Sequence, residues 1–159
     1  MSATGRRNPV PESLRQAAMW FTLAVIAGIA ESAISVVDGV FLETGTYSSG
    51  EIIANVALRV VVYGSVLVII RYLRQGHRWP SHALTLVLGV LGMGSLVVPY
   101  LLWLGDGNSV IAGIKGLDAV GALFAGVRVA HVVFVLLGLL SLYAGPSRRY
   151  YRRESVASS

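Results

Sequence analysis

The sequence predicts an all-α, polytopic membrane protein, with four transmembrane helices in an antiparallel bundle and both termini on the cytoplasmic side. Three observations predict this. First, four apolar runs are each long enough to cross ~30 Å of hydrocarbon, which takes ~20 helical residues. Second, the 159 residues are 55% hydrophobic and only 13% charged, about half the charged share of soluble domains. Third, the basic residues that flank the runs gather on one side.

The spans are read in chain order as 16–41, 52–73, 81–104 and 118–144, after an N-terminal segment at 1–15 and before a basic tail at 145–159. An apolar run that continues well past Ala30 is too long for the core of a signal peptide, so the first span is read as retained. Gly45 and Gly50 mark the first connection, where Ser48 and Glu51 have the spacing of a helix-capping box. Gly76 can stop the second helix and Pro80 can open the third. Gly105-Asp106-Gly107-Asn108-Ser109 is a loop signal. Residues 110–117 fit either an interfacial segment or an extension of the last helix. Gly145-Pro146 is expected to end that helix.

Orientation follows from charge. Arg6, Arg7, Arg15, Arg71, Arg74, Arg78, Arg148, Arg149, Arg152 and Arg153 lie on one side, opposed by Lys115 alone among the basic residues. The opposite loops carry Glu43, Glu51, Asp106 and Asp118. This is the positive-inside pattern of a bacterial inner-membrane protein with cytoplasmic termini. Arg71, Arg74, Arg78, Arg148, Arg149, Arg152 and Arg153 are expected to anchor the topology and to meet anionic lipid headgroups. They form no soluble basic patch, which excludes nucleic acid as a partner. Trp20, Trp79 and Tyr143 fall at the inner interface, and Tyr47 and Trp103 near the outer one. Abundant Gly and Ala, with Arg in place of Lys, point to a GC-rich bacterial source.

Three of the spans carry ionisable residues within the hydrocarbon, where each needs a partner or a purpose. Counted from the inner edge, Glu31, Arg59 and His131 share one depth just outside the midplane. Arg128 stands one turn from His131 on the same face. Asp38 lies on the Glu31 face near the outer edge, with Ser35 between, and Asn55 and Tyr63 flank Arg59 at one turn either side. Glu31, Asp38, Asn55, Arg59, Arg128 and His131 thus form a near-neutral polar cluster on the first, second and fourth helices. Three readings stay open: structural ion pairs, an outward-opening proton or anion site, and a polar seam completed by another protein. The third helix contributes no charge, only Gly89, Gly92, Gly94, Ser95 and Pro99.

Small-x-x-x-small pairs, Ala24/Gly28, Gly121/Ala125 and Ala122/Gly126, permit close helix approach within the bundle or between copies. Cysteine is absent, which removes disulfides and thiol chemistry. His77, His82 and His131 are too scattered for a metal site, and neither a phosphate loop nor a catalytic set occurs, so no metal, cofactor or enzymatic activity is expected.

Arg74-Gln75-Gly76-His77-Arg78-Trp79, the following Leu84-Thr85-Leu86-Val87-Leu88-Gly89-Val90, and the ending Pro146-Ser147-Arg148-Arg149-Tyr150-Tyr151-Arg152 resemble a broad group of small four-helix actinobacterial membrane proteins. In that group a basic-Gly-x-x-Trp turn leads into the third helix and a Pro-and-Tyr stop follows the fourth. The resemblance implies topology and source and transfers no activity. Ala27-x-x-x-Glu31 in the first helix is superficially similar to the single acid of small multidrug-resistance transporters. The chain departs from that pattern at Ser32-Ala33-Ile34-Ser35 and in having Arg59 and Arg128. The sequence therefore leads to a non-enzymatic accessory or assembly partner of a larger membrane complex, or a homo-oligomer. The alternative is a small proton-coupled or anion-handling transporter using Glu31, Arg59, Arg128 and His131.

Overall fold

The computed structural model describes residues 10–37, 49–115, 118–147 and 149–150. They form no strand, and their helices are α1 (Glu12–Val37), α2 (Ser49–Arg74), α3 (Trp79–Gly105), α4 (Val110–Lys115) and α5 (Ala119–Leu142), with residues 145–147 and 149–150 helical as well. All but α4 are long and apolar enough to cross a membrane. At ~1.5 Å per residue, the 26 residues of α1 extend about 39 Å, more than a bilayer core requires.

α1 starts earlier than its hydropathy suggests. Pro11 precedes it, and the Pro11 carbonyl accepts from the amides of Leu14 (3.0 Å) and Arg15 (3.4 Å), so the polar first turn is helical as well. The last helix is shorter than read, ending at Leu142 rather than at Gly145-Pro146. Asp118 caps its start by accepting from the Gly121 amide at 2.8 Å. The ambiguous stretch before it is a separate short helix, α4. The Ser48/Glu51 capping box and Asp38 fall outside the described residues or side chains.

α1 is the central element. It packs most extensively against α5, next against α2, while the middle of α3 packs on α5. Each adjacent pair is antiparallel: Ser13 meets Ser147 and Glu31 meets Arg128, Gly28 meets Tyr63 and Ser32 meets Arg59, and Thr85 meets Tyr143 while Tyr100 meets Arg128. The buried stripe of α1 is Leu14, Ala17, Ala18, Phe21, Ala24, Val25, Gly28 and Glu31, a helical i, i+3, i+4, i+7 repeat made mostly of small residues. Larger Met19, Ile26 and Ile29 face outward. Small inside and large outside suits helices that associate by close packing in lipid.

The core lies at the end that carries Leu14, Leu73, Leu84 and Leu142, called proximal below. Val66, Ile70 and Leu73 of α2 join it, but the opposite, distal half of α2 is exposed from residue 53 to 62. The chain after α5 turns back onto the proximal end. Buried Ser147 shares a 2.7 Å hydrogen bond with Ser13, and buried Tyr150 reaches the turn after α2. There Gly76 takes φ +83°, and its amide bonds the Leu73 carbonyl at 3.0 Å. A Cβ at Gly76 would also stand 2.6 Å from the Tyr150 hydroxyl. Gly76→Ala is therefore expected to lower stability by about 1–2 kcal/mol, read as an earlier thermal unfolding in detergent. Tyr150→Phe in the same chain should remove the clashing hydroxyl but not the backbone strain, giving incomplete recovery.

α3 is not a plain α-helix, as its apolar run suggests. Residues Thr85–Gly92 form a π-helical segment between two α-helical ends. Gly89 and Gly92 lie in it, and a Cβ at Gly89 would touch Leu139 of α5 at 3.3 Å. The wider turn changes the facing of everything distal to it, including Tyr100.

Candidate functional site

The polar residues meet midway along the helices, opposite the Gly28–Ser32 turn of α1. Glu31 is buried, with its side chain 8% exposed against 25% for Arg128. The Arg128 Nε donates to Glu31 Oε1 at 2.9 Å, and one terminal nitrogen donates to the same oxygen. The other terminal nitrogen donates to the Tyr100 hydroxyl at 3.0 Å. The guanidinium also lies over the Phe124 ring, 4.6 Å from its centroid, and 5.5 Å from that of Tyr100. This is a charge-assisted clamp joining α1, α5 and α3.

Arg59 does not enter that clamp. Its guanidinium donates to Ser32 Oγ at 2.7 Å, and no carboxylate lies within ion-pair distance of it among the described residues. Ser32 Oγ and the Tyr63 hydroxyl are 2.9 Å apart, and both donate to the Gly28 carbonyl, at 2.7 and 2.8 Å. The Arg59–Ser32–Tyr63 chain thus ties α2 to α1 through hydroxyls and a backbone carbonyl. It retains a positive charge.

His131 fills the notch left by Gly28. A Cβ there would stand 3.1 Å from both His131 Cε1 and the Tyr63 hydroxyl. His131 Nδ1 is buried and has no hydrogen-bond partner among the described residues. Although His131 and Arg128 share a face, only Arg128 reaches Glu31. Asn55 sits on the exposed distal half of α2, and the structure of Asp38 is not among the described parts.

The expectation that ion pairs would join the first, second and fourth helices changes at two points. Among the described residues the acid pairs with Arg128 and not with Arg59, and the third helix is a full participant through Tyr100. A signal for Tyr100 existed: an antiparallel register between the third and fourth spans puts it level with Arg128. A phenol stands out from an apolar span far less than an acidic or basic side chain does. Among the anchoring arginines, Arg71, Arg74, Arg78 and Arg149 are exposed around the proximal end. Arg148, Arg152 and Arg153 are outside the described residues. No grouping of metal-ligating side chains occurs among the described residues.

Fold and site together define an all-helical protein with four candidate membrane spans and a buried carboxylate–guanidinium clamp. Comparison with family models, curated proteins and solved structures yields no match.

Proposed function

We propose that this chain is a small, non-enzymatic membrane protein with both ends in the cytoplasm of a bacterium, acting as an accessory subunit of a larger membrane complex. The observation that carries the reading is Arg59. It sits on the distal half of α2, where residues 53 to 62 are exposed, and holds a single hydroxyl partner among the described residues. A guanidinium facing hydrocarbon costs at least ~2.5 kcal/mol, so that face suits a partner helix bearing a carboxylate or free carbonyls. Exposed Arg15, Arg71, Arg74 and Arg149 at the proximal end support cytoplasmic placement and contact with anionic lipid, each worth ~1 kcal/mol near such a surface.

Tagged protein purified from native membranes in mild detergent should bring a stoichiometric membrane partner. Arg59→Gln should lose that partner at least tenfold, while the chain itself stays folded with only a small drop in thermal stability, since the Tyr63 hydroxyl still ties α2 to the Gly28 carbonyl. A chain that purifies alone, or a partner that stays with Arg59→Gln, would sink the reading.

One observation favours a transporter as the second reading: His131 Nδ1, which has no hydrogen-bond partner among the described residues, lies beside the cationic Arg59–Ser32–Tyr63 chain. Anion- or proton-dependent flux by the isolated protein in liposomes, abolished in Arg59→Gln, would favour it over the accessory role.

A further inference from the structure

The outer side of the clamp opens on a cleft of about 570 Å³ between the distal part of α3, α4 and the start of α5. Tyr100 and Trp103 line one wall, Val110 and Ile114 another, and Ala125 and Arg128 the base. The volume is that of a small-molecule site. Among the described lining residues Arg128 alone is charged, and the five N–H groups of its guanidinium make three hydrogen bonds among the described residues. Two donors are left to offer.

Three physical constraints select the ligand. The charge of Arg128 is already met by Glu31, so the base of the cleft favours a neutral acceptor over a phosphate or carboxylate. Arg128 lies about 15 Å along α5 from the Asp118 cap, deeper than the ester carbonyls of membrane lipids, which stay near the headgroups. The walls are apolar and carry two large aromatic rings, suited to a flat conjugated ring followed by a hydrocarbon chain. We infer that the cleft binds the head of an isoprenoid quinone, one of its carbonyl oxygens accepting from Arg128 and its ring lying against Tyr100 and Trp103. This site is separate from the Arg59 face and stands whether or not a partner protein docks there.

Trp103 is a built-in reporter. With Trp20 and Trp79 replaced by Phe, the full chain in lipid nanodiscs is titrated with a naphthoquinone carrying one isoprene unit. Saturable quenching of Trp103 is expected. Ala125→Leu, which narrows the base beside Arg128, should weaken it about tenfold or more while thermal unfolding stays close to that of the parent chain. Val110→Phe at the exposed rim, where folding is not at stake, should weaken it as well. Dioleoylglycerol and phosphatidylglycerol at the same concentrations should not displace the quinone. Quenching that rises linearly and equally in all variants would overturn the proposal, as simple partitioning. Displacement by either lipid would overturn it too, because the cleft would then accept any acyl chain.

Discussion

Glu31→Gln is expected to be the most damaging single substitution at the site, lowering stability by about 3–5 kcal/mol. The loss comes from the group left behind. Without the carboxylate, the Arg128 guanidinium keeps its charge but is left with neutral acceptors alone among the described residues, the new amide oxygen and the Tyr100 hydroxyl. Pairing Glu31→Gln with Arg128→Gln should restore more than half of the loss, since two neutral amides need far less compensation. The measurement is a double-mutant cycle by denaturant-induced unfolding in mixed micelles. The same cycle between Glu31 and Arg59 should show much weaker coupling, because Arg59 is held by Ser32. Equal coupling to both arginines would mean that Glu31 is shared, and the clamp as described would be wrong.

Gly138→Ala is the second large effect. Gly138 sits on α5 where it crosses α1, and an added Cβ would stand 2.6 and 2.7 Å from two ring carbons of Phe21. Phe21 is fully buried, so the ring has no free space to enter. Overpacking of this kind costs about 1–3 kcal/mol. Phe21→Leu in the Gly138→Ala background should recover part of it, which a purely helical-propensity effect would not allow. Gly126→Ala serves as the control: nothing lies within 4 Å of a Cβ there, and the change should be neutral or slightly stabilising. A Gly138→Ala protein as stable as wild type would show that α1 and α5 are not packed this closely.

These glycines also mark how far the sequence can be read. Ala24 and Gly28 have the small-residue spacing of a close crossing, and Gly28 does lie against Tyr63 and His131. Gly126 belongs to an equally good pattern and touches nothing. Gly138 belongs to no pattern that stood out, yet an added Cβ there would stand only 2.6 Å from Phe21. Spacing reveals which residues share a helix face, but not which face meets a neighbour. The ionisable residues behave alike. The fixed rise of a helix put Glu31, Arg59 and His131 at one depth with Arg128 a turn further out, whereas in the fold Arg128 reaches Glu31 and His131 lies against Gly28, a turn nearer the proximal end. Their pairing was not legible, because depth leaves rotation about each helix axis free.

The sequence by itself determined four long apolar helices, their approximate limits and the level at which polar groups cluster. Hydrocarbon thickness and the rise of an α-helix suffice for that. Tertiary structure alone decided that Arg128 takes Glu31 while Arg59 takes a serine, and that Tyr100 completes the clamp. It also decided that α2 stands exposed along its distal half. Those outcomes depend on helix rotation and crossing, set by contacts such as Phe21 on Gly138 and by the π-helical turn in α3. Such contacts join residues far apart in the chain, and no local periodicity encodes them.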